Sequence, residues 1–288
     1  MSPAHIGLAV LTMALWGFNF VAMKVSVEQI PPVFTAGLRF VVVALLLIWF
    51  VRMPRGRMKA VLAIAFTMGV LQFPLAFYAL RFIDAKTAAL LIQLEVPFLV
   101  ILGVFVLKER IDWRSIVGIA VAFAGVAIMT SEPKVFANLF AVALMIVAGI
   151  VWAVANIQIK LLEEVEPLTL IAWIAAFSVP PLFLISFVLE DGQIDALVTA
   201  DWRAYGSILY LAVASSIVAY GLWYRLLRRH PVQRVVPFML LIPVFAVISS
   251  ILLLGESLSW IEASGGALTI GGVAVIVFTR ARSMPAGQ

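Results

Sequence analysis

Ten apolar segments follow one another along almost the whole chain, and this feature constrains the fold more than any other. Each is about 20 residues long, the length with which an α-helix crosses a hydrocarbon layer of roughly 30 Å. Because apolar residues make up 64% of the sequence and charged residues only 12%, little polar sequence remains for a separate soluble domain. The sequence predicts an all-α polytopic membrane protein with spans at 5–23, 33–51, 59–80, 85–107, 113–131, 136–159, 167–189, 204–224, 232–254 and 260–278.

Basic residues are distributed unevenly between the two ends of the predicted spans. Fourteen of the 20 Lys and Arg residues lie in the N-terminus, the even-numbered connections and the C-terminus, and five lie in the other connections. Arg39 is the remaining one and lies inside the second span. The positive-inside rule therefore predicts that both termini lie in the cytoplasm, and we expect the chain in a bacterial cytoplasmic (inner) membrane. We expect the lipid bilayer to surround the protein, and we expect no nucleic acid as a partner.

An internal repeat organises these spans. Residues 107–128 match residues 254–275 at a constant offset of 147, and the offset is 146 immediately upstream. The corresponding residues of the two halves include Glu109 and Glu256, Gly118 and Gly265, Gly125 and Gly272, and Pro97 and Pro243. The start of the chain gives a looser match, of Trp16 with Trp152 and of Lys24 with Lys160. The match predicts two units, residues 1–131 and 132–288. Because each holds five spans, an odd number, the second enters the membrane from the opposite side, which gives two inverted five-helix repeats.

Several of these motifs together resemble a known family. They are LWGFNFVAMK in the first span, the VP and IP dipeptides of spans 4 and 9, and the KER and GES sequences that precede Gly-rich spans. The pattern resembles the EamA type of the drug/metabolite transporter superfamily, over about residues 6–279. Within it, the chain is most similar to bacterial YddG-type exporters of amino acids, including aromatic ones. The resemblance implies a secondary transporter, and its motifs identify the fold better than the substrate.

One carboxylate occupies a position where charge is expensive. Glu95 lies near the middle of the fourth predicted span, in the apolar run LLIQLEVPFLVILGV. A charge at this depth costs at least about 2.5 kcal/mol on insertion scales, so we expect Glu95 to face protein or water and to have a function. Leu241 is its counterpart in the second half, which makes the carboxylate a feature of one half only.

Each half has one proline close to the depth of Glu95 in the membrane. A proline has no N–H to donate to the carbonyl four residues earlier, so Pro97 and Pro243 are predicted to interrupt and kink their helices. Backbone groups freed in this way are tolerated at membrane depth where they line a cavity. The sequence thus predicts a central cavity beside Glu95.

Three roles for Glu95 are compatible with the sequence. It can bind the amino group of a substrate, it can bind a proton with which the substrate competes, or it can form a buried ion pair with Arg39. The sequence does not distinguish these roles.

Polar and aromatic residues inside other spans predict the rest of the site. Trp16 and Asn19 are three residues apart, and Trp152 and Asn156 are four apart, so each pair can share a helix face in repeat-related spans. The predicted substrate-binding set is Trp16, Asn19, Gln72, Phe73, Phe77, Tyr78, Gln93, Glu95, Trp152, Asn156, Tyr220 and Trp223.

Small residues in spans 5 and 10 predict close helix packing. Ala263, Ala267 and Gly271 form one row of small residues at helical spacing, and Gly118 with Ala122 forms its counterpart. We interpret both rows as structural, either in packing within the chain or in a lateral contact between protomers, which the sequence does not decide.

Catalytic patterns are missing from the sequence. It has no cysteine, its two histidines lie at segment ends, and it has no HExxH, GxSxG or phosphate-binding Gly-rich motif. We therefore predict no enzyme, no cofactor and no metal site.

These observations favour a secondary transporter that exports a small amphipathic metabolite by alternating access. An aromatic or large neutral amino acid is the predicted substrate, and protons are a second predicted ligand. The alternative is an exporter of drugs or lipophilic cations that uses the same cavity. The sequence does not distinguish a monomer from a dimer.

Overall fold

The computed structural model describes residues 1–162 and 165–283, and all regular secondary structure within these ranges is helical. Nine of the described helices are long and apolar enough to cross a membrane. A tenth, with 17 residues, is at the lower end of the spanning length. We number the ten helices α1 Pro3–Val27, α2 Pro32–Phe50, α3 Met58–Leu80, α4 Ala85–Leu107, α5 Trp113–Met129, α6 Leu139–Leu161, α7 Pro167–Leu189, α8 Trp202–Arg229, α9 Val236–Leu254 and α10 Trp260–Ser283. The predicted all-helical membrane fold is confirmed.

The starts of the helices follow local rules. Proline is in the first turn of α1, α2 and α7, where its missing N–H would have no partner in the helix anyway. Trp113, Trp202 and Trp260 begin α5, α8 and α10 and are 67%, 77% and 90% exposed. Such exposed indole rings at helix ends are typical of the aromatic belt at a membrane surface.

Both halves contain a π-helical segment at the same repeat position. The segment Ala65–Gln72 interrupts α3, and Leu211–Val218 interrupts α8, each with eight residues. Their offset is the 146 residues that relate the two halves in this region. A π-helical turn is wider than an α-helical one, because its backbone hydrogen bonds join residues five apart instead of four. Such segments are frequent at functional sites.

Each of the two prolines that were predicted to kink a helix follows a short 3₁₀-helical segment. A 3₁₀ segment, Ile92–Leu94, precedes Pro97 in α4, and another, Val236–Leu240, precedes Pro243 in α9. In each helix the regular α-helical part resumes two residues before the proline. The missing N–H of proline removes one α-helical hydrogen bond in the preceding turn, which is the turn that adopts the tighter geometry.

Helices α5 and α10 pack backbone against backbone. A Cβ atom added to Gly118 would lie 2.7 Å from the carbonyl oxygen of Gly272, and one added to Gly125 would lie 2.5 Å from that of Gly265. The contacts are thus crossed with respect to the repeat, since Gly118 meets the counterpart of Gly125, and Gly125 meets the counterpart of Gly118.

The small-residue row on α10 does not face α5 within the chain. Gly271 has open space around it and Ala267 is exposed, whereas Gly265, Thr269 and Gly272 are buried against α5. The row at four-residue spacing was the more regular pattern, but glycine alone permits the closest backbone approach, and this decided which face packs.

Candidate functional site

A cavity of about 490 Å³ lies in the middle of the helix bundle. This volume is within the range of roughly 300–1,000 Å³ that is typical of small-molecule sites. Nine of the ten helices contribute to its wall, and α5 does not. Ten of the twelve predicted substrate-binding residues line it, namely Trp16, Asn19, Gln72, Phe73, Gln93, Glu95, Trp152, Asn156, Tyr220 and Trp223.

Phe77 and Tyr78 lie outside the cavity. Phe77 is fully buried in the helix core, one turn beyond Phe73 and with its ring 6.4 Å from that of Phe73. Tyr78 is 36% exposed and packs beside Phe82. At 100° per residue, Tyr78 is turned about 140° from Phe73 around the helix axis, so the two cannot share one face. Phe77 is on nearly the same helix face as Phe73, but it lies one turn away, where the hydrophobic core fills the space between the helices.

An aromatic wall surrounds Trp16. Its ring makes edge-to-face contacts with Tyr220 at 5.1 Å and with Trp223 at 5.5 Å. Its indole Nε1 donates a hydrogen bond of 3.2 Å to the carbonyl oxygen of Ser215, within the π-helical segment of α8. The Ser215 hydroxyl in turn donates to Oδ1 of Asn19 over 2.8 Å. The irregular backbone of α8 therefore positions the side chains of α1 that line the cavity.

Glu95 faces this cavity from the start of the regular part of α4. Its carboxylate forms no ion pair or hydrogen bond with any residue that the structure describes. Helix α6 packs directly behind it, because the Cβ position of Gly149 is 3.5 Å from the backbone nitrogen of Glu95. The backbone of Glu95 is thus fixed by packing against α6, while its carboxyl group faces the cavity.

The ion pair with Arg39, one of the three predicted roles of Glu95, is not formed. Arg39 instead donates from Nε and Nη2 to the hydroxyl oxygen of Ser216, over 3.2 and 2.9 Å. Its guanidinium group lies 4.5 Å from the centre of the Phe73 ring. Arg39 also lines the cavity, which the sequence analysis did not assign to it. Its position inside a span was the available signal, but the sequence does not show how far apart two charges lie.

A buried amide adds an unpaired acceptor to the wall. Oε1 of Gln72 is buried without a hydrogen-bond partner in the described chain, at the end of the π-helical segment of α3. Asn156 uses its Nδ2 atom in a 2.9 Å bond to the carbonyl oxygen of Trp152. The cavity therefore combines an apolar and aromatic surface with a few polar groups that have spare hydrogen-bonding capacity, the usual composition of a site for an amphipathic ligand.

The sequence profile of the EamA-like transporter family matches this chain over residues 4–131 and 139–278. The chain belongs to the EamA-like transporter family. It is accordingly a multi-pass membrane protein and a transporter of a small-molecule substrate, in agreement with the prediction that it is not an enzyme.

Curated relatives of this EamA-like transporter cover nearly its full length. It is 35% identical over 281 residues to a protein of Salmonella typhimurium named "Probable amino-acid metabolite efflux pump", with 94% of each chain covered. It is 34% identical to the protein of the same name from Escherichia coli, again with 94% of each chain covered. It is 26% identical to the "Probable terminal-alkyne amino-acid exporter" of Streptantibioticus cattleyicolor, with 93% and 91% covered. A solved crystal structure at 17% identity superposes with a TM-score of 0.63 over 98% and 99% of the two chains, which supports the fold.

The EamA-like transporter is closed at the face that carries the α3–α4 connection. The ammonium group of Lys24 donates to the carbonyl oxygens of Leu80 and Ile83, over 2.8 and 3.2 Å. The carboxylate of Glu256 accepts from the backbone N–H groups of Ala85 and Lys86, over 2.8 and 3.2 Å. Lys24 thereby caps the end of α3, and Glu256 caps the start of α4, so the connection is held from both sides.

A buried ion pair reinforces this closed face. Nζ of Lys86 is 2.6 Å from Oε1 of Glu262, which also accepts a 2.9 Å bond from the hydroxyl group of Thr87. Both charged side chains are nearly inaccessible. Because a paired charge in the interior is lost at high cost when one partner leaves, the contact between α4 and α10 resists separation.

The opposite face, which carries the α8–α9 connection, uses the equivalent residues differently. Lys160 and Glu109 are the repeat counterparts of Lys24 and Glu256, but they bind each other, with Nζ 2.6 Å from Oε1. Arg280 approaches Oε2 of the same carboxylate at 3.0 Å. The hydrogen bond from Lys160 and the charge of Arg280 lower the pKa of Glu109, so its carboxylate is ionised at neutral pH. Neither residue caps α8 or α9, and the cavity extends from mid-bundle to Arg280 at this face.

Proposed function

We propose that this protein exports amino acids, with large neutral or aromatic side chains, across the bacterial cytoplasmic membrane. The observation that carries the proposal is the cavity itself, which is lined by the carboxyl group of Glu95 and by a wall of aromatic rings. Glu95 forms no ion pair in the described chain, and the second half has no acidic residue at the equivalent position. An amino acid has an ammonium group for Glu95 and an apolar side chain for the aromatic wall. The names of the relatives from Salmonella typhimurium and Escherichia coli support the same substrate class.

Each part of the cavity has a role in this proposal. Glu95 binds the substrate's ammonium group, and in the empty cavity it binds a proton that the substrate displaces. Gln72 accepts a further hydrogen bond through its unpaired Oε1 atom. Trp16, Tyr220 and Trp223 pack against the substrate's side chain, since flat rings bury much area with little conformational entropy to lose.

A binding competition tests the substrate class. Trp16, Trp152 and Trp223 line the cavity, so intrinsic tryptophan fluorescence of the purified protein in detergent reports on its occupation. We expect L-phenylalanine and L-leucine to change the emission saturably and tetraphenylphosphonium not to compete with them. Saturable binding of tetraphenylphosphonium without binding of either amino acid would contradict the proposal and favour a lipophilic-cation exporter of the same family.

The two faces of the bundle suggest how the substrate is moved. We propose that both termini are cytoplasmic, as the distribution of Lys and Arg predicts, so that the cavity opens to the cytoplasm in this structure. The halves 1–131 and 132–288 would then move against each other, as inverted repeats do in alternating access. In the outward-open state Lys160 and Glu109 separate and cap α8 and α9, while Lys24 and Glu256 release α3 and α4.

Replacing Glu256 with Gln is expected to favour the outward-open state. Gln cannot accept hydrogen bonds from two backbone N–H groups with the strength of a carboxylate, because charge-assisted bonds are about twice as strong as neutral ones. The native chain has no cysteine, so Ser215→Cys provides a single thiol in the cavity. In right-side-out vesicles, we expect a membrane-impermeant maleimide to label this thiol at least about threefold faster when Glu256→Gln is added.

Glu28→Gln is the matched control for this change. Glu28 is at the same face as Glu256, its side chain is 56% exposed, and its carboxylate lies 3.9 Å from Nζ of Lys24 without accepting a hydrogen bond from a backbone N–H group of the described residues. Equal labelling rates in the Glu256→Gln and Glu28→Gln backgrounds would contradict the capping role of Glu256.

A further inference from the structure

The guanidinium group of Arg39 is a buried charge whose binding capacity is only partly used. Arg39 is 3% exposed in the middle of α2. Nε and Nη2 share one acceptor, the hydroxyl oxygen of Ser216, and Nη1 is buried with no hydrogen-bond partner in the described chain. Because nearly all buried polar atoms in proteins are paired, an unpaired arginine nitrogen in a cavity wall calls for an explanation.

The partners of Arg39 fix its position without balancing its charge. Ser216 is neutral, and its own hydroxyl hydrogen is donated to the carbonyl oxygen of Leu211 over 2.8 Å. Phe73 offers only the face of its ring, 4.5 Å from the guanidinium carbon. Glu95 lines the same cavity but forms no ion pair with Arg39. The cavity wall therefore holds a guanidinium group and a carboxyl group that do not pair with each other.

We propose that Arg39 binds the carboxylate of the substrate, so that the cavity selects molecules that carry a free carboxylate as well as an amino group. This inference rests on the proposed function and narrows it to zwitterions. A guanidinium group matches a carboxylate in shape and charge, since its planar N–H donors fit two oxygen atoms. Ser216 is a positioning residue, because its hydroxyl oxygen orients the guanidinium group from behind.

A zwitterion can pair with both groups in an otherwise apolar cavity. A bound amine would pair with Glu95 but leave the charge of Arg39 uncompensated in a desolvated site, which is the costly arrangement. A bound carboxylate would pair with Arg39 but would offer no ammonium group to Glu95, which would keep its proton. A molecule that carries both groups pairs with both residues at once.

Three probes with the same side chain test this selection. They are L-phenylalanine, 2-phenylethylamine, which lacks the carboxylate, and 3-phenylpropanoate, which lacks the amino group; L-leucine and 3-methylbutylamine form a second matched pair. Binding to the purified full-length protein is measured by tryptophan fluorescence and by equilibrium dialysis. We expect each amino acid to bind at least about tenfold more tightly than its amine, as is typical when a buried charged group is left unpaired.

Two substitutions separate a binding role from a structural one. In Arg39→Gln, we expect the dissociation constant of the amino acid to rise about tenfold or more and that of the amine to change less than about threefold. In Ser216→Ala, which leaves the guanidinium group in place without its anchor, we expect a smaller loss of the same preference. The wild-type comparison of amino acid and amine needs no variant, so it remains decisive if Arg39→Gln does not fold.

The outcomes distinguish this inference from the proposed function. Equal binding of amino acid and amine by the wild type, or an unchanged preference in folded Arg39→Gln, would overturn the role of Arg39 while amino-acid binding itself stands. No saturable binding of any of the five probes would overturn the proposed function and this inference together.

Discussion

Replacing Glu95 with Gln is expected to lower amino-acid transport by about ten- to a hundredfold. Hydrogen bonds to charged groups contribute about 1.5–3 kcal/mol, and each 1.4 kcal/mol corresponds to a factor of ten. The carboxylate of Glu95 has no other partner in the described chain, so its whole interaction is available to a ligand. Gln keeps the shape of the side chain but neither its charge nor its ability to exchange a proton.

The measurement is uptake of labelled L-leucine and L-phenylalanine into proteoliposomes, with and without a pH gradient. The folded state of each variant is checked by size-exclusion chromatography and thermal unfolding. Glu166→Gln serves as the control, because Glu166 is an exposed glutamate and its ion pair with Arg228 spans 3.8 Å between two exposed side chains. If Glu95→Gln transported both amino acids at the wild-type rate with the same pH dependence, Glu95 would have neither of the two roles that we propose.

Replacing Gly272 with Val is expected to destabilise the protein severely. A Cβ atom at this position would lie 2.5 Å from the carbonyl oxygen of Gly118 and from the backbone nitrogen of Ala122. Both obstacles are backbone atoms of α5, so no side-chain rotation can relieve the clash. Overpacking costs about 1–3 kcal/mol even where side chains can adjust, and we expect at least that here.

Gly271→Val is the matched control, since it makes the same change one residue away on the same helix. Gly271 has nothing within 4 Å of its Cβ position. Both variants carry the same change in helix propensity, so the difference between them isolates packing against α5. By thermal unfolding in detergent, we expect the midpoint of Gly272→Val to fall at least about 5 °C below that of Gly271→Val. Equal midpoints would show that α5 and α10 do not pack at these glycines.

The helix arrangement could be predicted from the sequence because it depends on residue type and on the spacing of residues along the chain. The apolar segments predict the spans, and the offset of 147 pairs Gly118 with Gly265 and Gly125 with Gly272, the four glycines that form the α5–α10 contact. The rows that were predicted to pack, such as Ala263, Ala267 and Gly271, were chosen by regular spacing alone. Spacing identifies a helix face, but the neighbouring helix decides which face is covered.

The cavity was predictable in its centre and not at its edge. Glu95 stood out because charge at mid-membrane is costly, and Trp16 with Trp152 stood out as repeat-related aromatics. Phe77 has the same residue type and a similar helix face to Phe73, yet it lies in the packed core. The cavity extends to Arg280 at one face of the bundle, and in the proposed alternating-access cycle its extent depends on which face is closed.

The role of Arg39 and the different partners of Glu109 and Glu256 were not predictable for a related reason. The sequence showed that Arg39 was a charge inside a span, but only the structure shows that its donors reach Ser216 and leave Nη1 unpaired. Glu109 and Glu256 occupy equivalent positions in the repeat. Glu256 caps a helix while Glu109 forms ion pairs, and in the proposed alternating-access cycle the two faces are in different states.

Counterflow in proteoliposomes tests the central claim most directly. Vesicles that contain the purified protein are loaded with unlabelled L-leucine or L-phenylalanine and diluted into buffer with a trace of the labelled amino acid. We predict transient accumulation of label that requires the same amino acid inside and is not produced by tetraphenylphosphonium loading. Absence of accumulation for both amino acids, from protein that is folded and reconstituted, would contradict the assignment of this cavity to amino-acid export.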